Sequence, residues 1–178
     1  MNIIDFLENN VKNVPNKIAI ISEGENISYS ELDKQVKKTS LSISALNSQD
    51  IISLISENSI SFVIAYLGII KAGKIAHLVS PDILEINLLN QIKSAGSQLI
   101  ISSKNVFDNI SKYTKIKIPI FQFSELENIS TDENKVLQKN KIAHLIYTSG
   151  TTSEPKGVGI THSMIEFTTR NIVNVLGY

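Results

Sequence analysis

The chain has 178 residues, of which 42% are hydrophobic and 19% charged, so it can bury a substantial core and is too apolar to be a disordered chain. Basic and acidic residues number 17 each, so the net charge gives no reason to expect nucleic acid as a partner. There is no cysteine, which excludes disulfides, thiolate catalysis and thiolate metal sites. We expect a cytoplasmic protein without a membrane span, because the N-terminus lacks a signal-peptide pattern and the longest apolar run, residues 62–70, is far shorter than the ~20 residues of a spanning helix.

The first half of the chain alternates short β-branched runs with amphipathic segments, as strands and helices of an α/β protein do. A capping-box pattern at residues 30–33 predicts the start of the first long helix. The predicted elements are, in order, a strand at 18–22, a turn at Gly24, a returning strand at 27–29, a helix over 30–46, a buried strand at 50–56 and a helix over 61–72 that is apolar on most faces.

The second half continues the alternation. Its predicted elements are a strand at 75–79, a helix over 80–95 opened by Ser80-Pro81-Asp82, a strand at 98–102, a short helix at 106–113, an edge strand at 118–123, a polar surface connection at 124–141, strands at 142–147 and 157–161, and a helix over 162–176. Strands and helices at this spacing predict an α/β fold, a doubly wound, mostly parallel sheet with helices on both faces.

A hydroxyl-rich segment follows the strand at 142–147 directly. Residues 147–162 read YTSGTTSEPKGVGITH, with Gly150 among the hydroxyl residues and Lys156 after them. Hydroxyls donate hydrogen bonds to phosphate oxygens, glycine permits a sharp turn and a close approach, and successive backbone N–H groups can form an anion-binding concavity. Ligands of α/β sheets usually bind at the ends of strands. The pattern therefore predicts a phosphate-binding loop over residues 148–156.

Three other interpretations fit the sequence less well. The common NTPase loop, G-x-x-x-x-G-K-[ST], does not fit, because Pro155 stands at its second glycine and Gly157 at its hydroxyl position. A Ser/Thr-rich surface turn is the plain alternative, and the ordered run TSGTTSEPKGV argues against it. A zinc site is disfavoured because the three histidines share no ligand spacing, so structural histidines are expected.

The segment resembles the signature loop of the adenylate-forming superfamily, which comprises acyl-CoA synthetases, luciferases and peptide-synthetase adenylation domains. The usual form is YTSGTTGxPKGV, then a short spacer and a histidine; Ser153 stands here where the family most often has glycine. Residues 17–32, KIAIISEGENISYSEL, and 64–82, IAYLGIIKAGKIAHLVSPD, are similar to two earlier segments of that family in the same order. The resemblance covers nearly the whole chain.

The resemblance implies a ligase that joins a carboxylic acid to AMP with Mg-ATP, releases pyrophosphate, and in most members passes the acyl group to the thiol of coenzyme A or a carrier domain. Carried onto this sequence, the residues that would bind the β- and γ-phosphates are Thr148, Ser149, Gly150, Thr151, Thr152 and Lys156. No catalytic residue and no metal ligand is assigned, because the family motifs for adenine, ribose, magnesium and the assisting lysine lie beyond these segments.

We therefore expect residues 1–178 to be the N-terminal portion of an AMP-binding adenylation domain, with no second domain and no activity alone. Apolar helix faces and a sheet edge that the remainder would cover should then be exposed and favour self-association. The alternative, from another class, is a stand-alone nucleotide-binding or protein-interaction module derived from the same fold.

Overall fold

The computed structural model describes residues 2–46, 50–129, 140–148 and 156–177. No helix in these ranges is long and apolar enough to cross a membrane. In chain order the elements are α1 (Ile3–Asn13), β1 (Ile18–Ser22), β2 (Glu25–Ser28), α2 (Tyr29–Ala45), β3 (Ile51–Ile55), α3 (Ile60–Lys71), β4 (Ile75–Val79), α4 (Glu85–Ala95), β5 (Ile100–Ser102), α5 (Lys104–Ile110), β6 (Ile120–Gln122), α6 (Phe123–Leu126), β7 (Ile142–Thr148), β8 (Lys156–Thr161) and α7 (His162–Leu176).

Within the described residues, six strands form one sheet in the order β6-β5-β3-β4-β7-β8. The first five of these are parallel to their neighbours, and only β8 runs antiparallel, against β7. β1 and β2 form a separate antiparallel hairpin. The predicted mostly parallel sheet is confirmed, with β6 at one edge as Pro119 suggested.

Helices cover both faces of this sheet. Successive residues of a strand point to opposite faces, so a buried strand packs against helices on each side. On one face Leu54 of β3 packs in a cluster with Ile69 of α3. On the other face the next residue, Ile55, packs with Leu88 of α4 and Val106 of α5. The core therefore lies in two layers, and the predicted doubly wound arrangement is confirmed.

Helices α2 and α3 approach each other closely at a glycine. A Cβ added to Gly68 would lie 2.6 Å from Cγ2 and 2.9 Å from Cβ of Thr39, closer than real side chains come. The absence of a side chain at this position thus sets the distance between the two helices. The close packing buries most of α3, as its nearly uniform apolar surface predicted.

The start of α2 differs from the prediction. Ser28 caps the helix by accepting a hydrogen bond from the Glu31 N–H at 3.3 Å, so the helix begins at Tyr29 and not at Ser30. The Tyr29 and Ser30 N–H groups donate to carbonyl oxygens of the preceding segment, at 3.0 and 2.9 Å. Because these contacts satisfy both N–H groups, a cap at Ser30 is unnecessary.

The start of α4 also differs. Ser80-Pro81-Asp82 belongs to a turn, and the helix begins at Glu85 after an extended Leu84. The Ile83 carbonyl oxygen accepts the hydroxyl of Tyr113 at 2.9 Å, and Ile83 itself is buried. This contact fixes Ile83 outside the helix. No element was predicted for residues 3–13, where the structure has α1.

Helix α7 leaves much of its apolar surface exposed. Ile165 packs against the α1–α3 cluster, and the Arg170 guanidinium lies 5.7 Å from the centre of the Phe6 ring. Phe167 and Val175 are 70% and 83% exposed, however, and no described residue of α7 is buried. The expected exposed apolar helix face is therefore present.

Candidate functional site

The segment predicted to bind phosphate joins β7 to β8. β7 is a parallel neighbour of β4, so its carboxyl end lies at the same edge of the sheet as the ends of β3 and β4. β8 returns antiparallel in a register that pairs Thr148 with Lys156 and Tyr147 with Gly157. The loop thus leaves and re-enters the sheet at the edge where α/β proteins bind ligands.

The structure brings the two described candidate residues together. Thr148 and Lys156 are the last cross-strand pair before the turn, where paired Cα atoms lie about 5 Å apart. Both residues are exposed. The other candidates, Ser149, Gly150, Thr151 and Thr152, lie outside the described residues.

Tyr147 and Gly157 flank this pair and were not among the predicted site residues. A Cβ added to Gly157 would lie 3.0 Å from Cζ and 3.2 Å from Oη of Tyr147, so the tyrosine ring lies across the glycine. The other side of the ring meets His77 of β4, with ring centroids 5.1 Å apart and planes inclined by 64°. Only the strand order reveals this contact.

His77 is fully buried and hydrogen-bonded at both ring nitrogens. Its Nδ1 lies 2.9 Å from Oγ of Ser53, and its Nε2 lies 3.3 Å from the side-chain amide of Gln91. Burial lowers the pKa of His77 from 6.5 to about 4, and the Gln91 hydrogen bond offsets a smaller part. The imidazole is therefore neutral at pH 7. His77 was expected to be a histidine with satisfied hydrogen bonds, and its two partners confirm this.

The opposite face of β7 carries a second histidine. His144 Nδ1 lies 2.8 Å from the hydroxyl of Tyr66 on α3. Burial, and to a smaller extent the charge of His162, lower the pKa of His144, while burial raises the pKa of Tyr66 to about 12. This pair ties β7 to α3, on the side of the sheet away from His77.

Two other features do not extend the site. Among the described residues no group of three His, Asp or Glu side chains is arranged to hold a metal ion. A cavity of about 290 Å³ lies between α2, α3 and α6, and its lining includes Lys38, Ile64 and Phe123 but no residue of β7 or β8. The cavity is therefore separate from the hairpin.

Sequence comparison finds large synthases that contain segments similar to this chain. Polyketide synthase PksN of Bacillus subtilis (strain 168) is 27% identical over 184 residues, covering 98% of this chain and 3% of the relative. Surfactin synthase subunit 2 of the same organism is 24% identical over 175 residues, covering 97% of this chain and 5% of the relative. The chain thus spans only a small part of these curated relatives.

Structure comparison supports the fold assignment. o-Succinylbenzoate CoA synthetase (MenE) from Bacillus subtilis, in complex with the acyl-adenylate intermediate OSB-AMP, superposes with a TM-score of 0.82 at 23% identity. The match covers 98% of this chain and 46% of that one. The same enzyme in complex with ATP and magnesium ion matches with a TM-score of 0.79 at 22% identity, over 97% of this chain and 47% of that one.

A family assignment follows from a match along nearly the whole sequence. The family described as AMP-binding enzyme matches residues 7–177, which include all of the predicted loop. The fold, the position of the hairpin and this match agree. The chain therefore belongs to the AMP-binding enzyme family, as the resemblance of its loop indicated.

Proposed function

We propose that this chain is the N-terminal portion of an AMP-forming ligase, which activates a carboxylic acid with Mg-ATP to an acyl-adenylate. In this proposal residues 1–178 form part of the large domain and contribute one wall of the ATP site. The thioester step that follows would use coenzyme A or a carrier thiol. We also propose a cytoplasmic location, which the lack of cysteine favours.

The observation that carries the proposal is the position of the sequence YTSGTTSEPKGV. Its first residues end β7 at the carboxyl edge of a parallel sheet, and its last residues begin β8, with Lys156 opposite Thr148. The membership of the AMP-binding enzyme family supports the same assignment. A surface turn of similar composition would have no reason to lie at this edge.

The exposed Thr148 hydroxyl and the Lys156 ammonium are suitable partners for phosphate oxygens. With Ser149, Gly150, Thr151 and Thr152 they would position the β- and γ-phosphates and stabilise the departing pyrophosphate without forming bonds. Magnesium would supply further charge neutralisation when bound. The described residues offer no set of carboxylates to hold it, so we assign no magnesium ligand and derive no step through the ion.

Calorimetric titration of the 178-residue chain with Mg-ATP tests the loop assignment. We expect Lys156→Ala to weaken binding about tenfold, because a hydrogen bond to a charged group is lost in an exposed position. Lys141→Ala is the matched control, since Lys141 is also exposed but precedes β7 at the opposite end of the hairpin. Equal affinities for the wild type and both variants would show that the loop is not the ATP site.

ATP–pyrophosphate exchange separates the ligase assignment from a stand-alone module. We expect no carboxylate-dependent exchange by this chain alone, because the described residues include no candidate for the group that assists adenylation. Addition of the remaining part of a ligase of this family should restore exchange and make it depend on Lys156. ATP binding that persists without any restored exchange would favour the nucleotide-binding module instead.

We further propose that the isolated chain self-associates, with a second copy of the chain covering the exposed face of α7. The support is the exposure of Phe167 and Val175 on one amphipathic helix. Light scattering at increasing concentration should give a mass above that of the 19.7 kDa monomer. Phe167→Glu should restore the monomer, whereas Ile21→Glu, at a residue 76% exposed on β1, should not. A wild-type monomer at high concentration would contradict the proposal.

A further inference from the structure

The ring of Tyr147 occupies the base of the loop. Tyr147 directly precedes Thr148 in β7, and its cross-strand partner Gly157 directly follows Lys156 in β8. The space above Gly157 is filled by the ring, which would lie 3.0 Å from an added Cβ. The ring therefore contacts the hairpin next to both strand ends from which the loop departs.

His77 supports this ring from the neighbouring strand. It pairs with Leu145 across the parallel β4–β7 ladder, which places Tyr147 two residues further along on the same face. The edge-on geometry, with centroids 5.1 Å apart, lies in the favourable range for aromatic pairs. The Tyr147 ring is thus held between His77 on one side and Gly157 on the other.

A relay of buried hydroxyls fixes the orientation of His77. The Ser53 hydroxyl donates to Oγ of Ser97 at 2.9 Å, and the Ser97 hydroxyl donates to the Leu99 carbonyl oxygen at 3.1 Å. Nδ1 of His77 lies 2.9 Å from the Ser53 hydroxyl, so the imidazole belongs to the same hydrogen-bond network. The network therefore connects His77 through Ser53 and Ser97 to the Leu99 carbonyl oxygen.

The second ring nitrogen of His77, Nε2, also has a partner. Oε1 of Gln91 on α4 lies 3.3 Å from Nε2, and this hydrogen bond raises the pKa of His77 against the larger effect of burial. Both nitrogens then have partners, and the low pKa keeps the ring uncharged. An apolar side chain could fill the same volume, but it would have no hydrogen bonds to fix its side-chain orientation.

We propose that His77 is a positioning residue for the nucleotide loop: its fixed ring holds the Tyr147 ring against Gly157 and so fixes the strand ends at Thr148 and Lys156. The expected effect on Mg-ATP affinity rests on the function proposed above. The competing interpretation is a buried histidine that stabilises the whole chain equally. The two interpretations differ in where a substitution acts, which exchange and binding measurements on the complete chain resolve.

His77→Asn is the main variant, because its amide can still form a hydrogen bond with Ser53 while the ring that contacts Tyr147 is lost. We expect faster backbone hydrogen exchange, followed by NMR, at Thr148 and Lys156, with unchanged exchange in the β3 core. Mg-ATP affinity should fall about tenfold, as expected when a loop loses preorganisation. His144→Asn is the matched control, a strand histidine on the opposite face, and should leave the exchange at both strand ends unchanged.

Gly157→Ala tests the same contact from the opposite side and does not alter the core. The added methyl must displace the Tyr147 ring, so the variant should also speed exchange at the strand ends and weaken Mg-ATP binding. In a Tyr147→Leu background the ring is absent, and Gly157→Ala should then have little further effect. Full additivity of the two substitutions would overturn the proposal.

The outcomes separate this inference from the proposed function. If the wild type binds Mg-ATP and Lys156→Ala does not, but His77→Asn and Gly157→Ala match the wild type in exchange and affinity, the positioning role is wrong. Faster exchange spread evenly over the chain, or faster exchange at the strand ends with undiminished affinity, would also overturn it. If the wild type does not bind Mg-ATP, the proposed function fails for this chain, and the exchange at Thr148 and Lys156 alone decides the positioning role.

Discussion

Acidification from pH 7 to pH 5 should destabilise this chain through His77. Burial lowers the pKa of His77 from 6.5 to about 4 in the folded state, whereas the unfolded chain protonates near 6.5. Between these values the unfolded state binds the proton and the folded state does not. The free energy of unfolding therefore falls as the pH drops from about 6.5 to about 4, and changes no further through this group below that range.

The magnitude follows from the separation of the two pKa values. At about 1.4 kcal/mol per pKa unit, the full loss is about 3 kcal/mol below pH 4, and about 2 kcal/mol has been lost at pH 5. Solvent screening does not reduce this loss of free energy, because His77 is fully buried. His144 acts in the same direction, since its pKa is also lowered, so the wild type alone cannot isolate His77.

Urea unfolding of the wild type and His77→Asn at both pH values isolates the effect. Asparagine does not titrate, so the variant should lose about 2 kcal/mol less than the wild type between pH 7 and pH 5. With a slope of about 2 kcal/mol per molar urea, the difference is about 1 M in the shift of the midpoint. An equal pH dependence of the two proteins would refute a buried neutral His77.

Two further substitutions test the packing between helices and the cap of α3. Gly68→Ala should lower the free energy of unfolding by about 2 kcal/mol, because its Cβ would lie 2.6 Å from Cγ2 of Thr39. Thr39→Ser removes that methyl group and should recover part of the loss in the double variant. Equal stability of Gly68→Ala and the wild type in urea would contradict the close approach. Ser59→Ala should lower the free energy of unfolding by about 1 kcal/mol, because the Ser59 hydroxyl accepts a hydrogen bond from the Phe62 N–H at 3.0 Å. The control is Ser61→Ala, at an exposed position of the same helix, which should leave thermal unfolding unchanged.

The elements that the sequence predicts best are those whose patterns are local. The strands at 18–22 and 75–79 and the helix at 162–176 have the predicted bounds. Their signals are β-branched runs, or apolar residues at helical spacing, that need no information from elsewhere in the chain. Helix α1 carries a comparable local signal, since Asn2 and Asp5 form a capping box in the structure, so its omission was avoidable.

The first residues of α2 and α4 were predicted incorrectly because they depend on residues that are distant in the sequence. The Ile83 carbonyl oxygen is occupied by the hydroxyl of Tyr113, which is 30 residues away in the sequence. In the same way, the first N–H groups of α2 bond to the segment before β1. A capping pattern identifies residues that can begin a helix, but these tertiary hydrogen bonds decide which of them does.

The same distinction holds for the candidate site. The order of hydroxyls, glycine and lysine predicts a phosphate loop, and the register of β7 and β8 places Thr148 opposite Lys156. The contact between His77 and Tyr147 was not predictable, because the two residues meet only when β4 and β7 become neighbours. Residues that bind a ligand can share one segment, whereas the residues that orient them come from separate strands.

The β7–β8 hairpin also bears on the source of positive charge in the proposed ATP site. In an NTPase loop the phosphates lie at the N-terminus of the following helix, whose dipole attracts them. Here β8 follows the loop, and α7 begins only after Thr161, which pairs with Ile142 at the far end of β7. At about 3.4 Å per residue, a strand of 6 residues separates the helix N-terminus from Lys156 by about 17 Å, well beyond the first helical turn over which the dipole acts. In the proposed ATP site the Lys156 ammonium would therefore supply positive charge that no helix dipole provides, and for this reason Lys156→Ala is a sharper test here than in a loop supported by a helix.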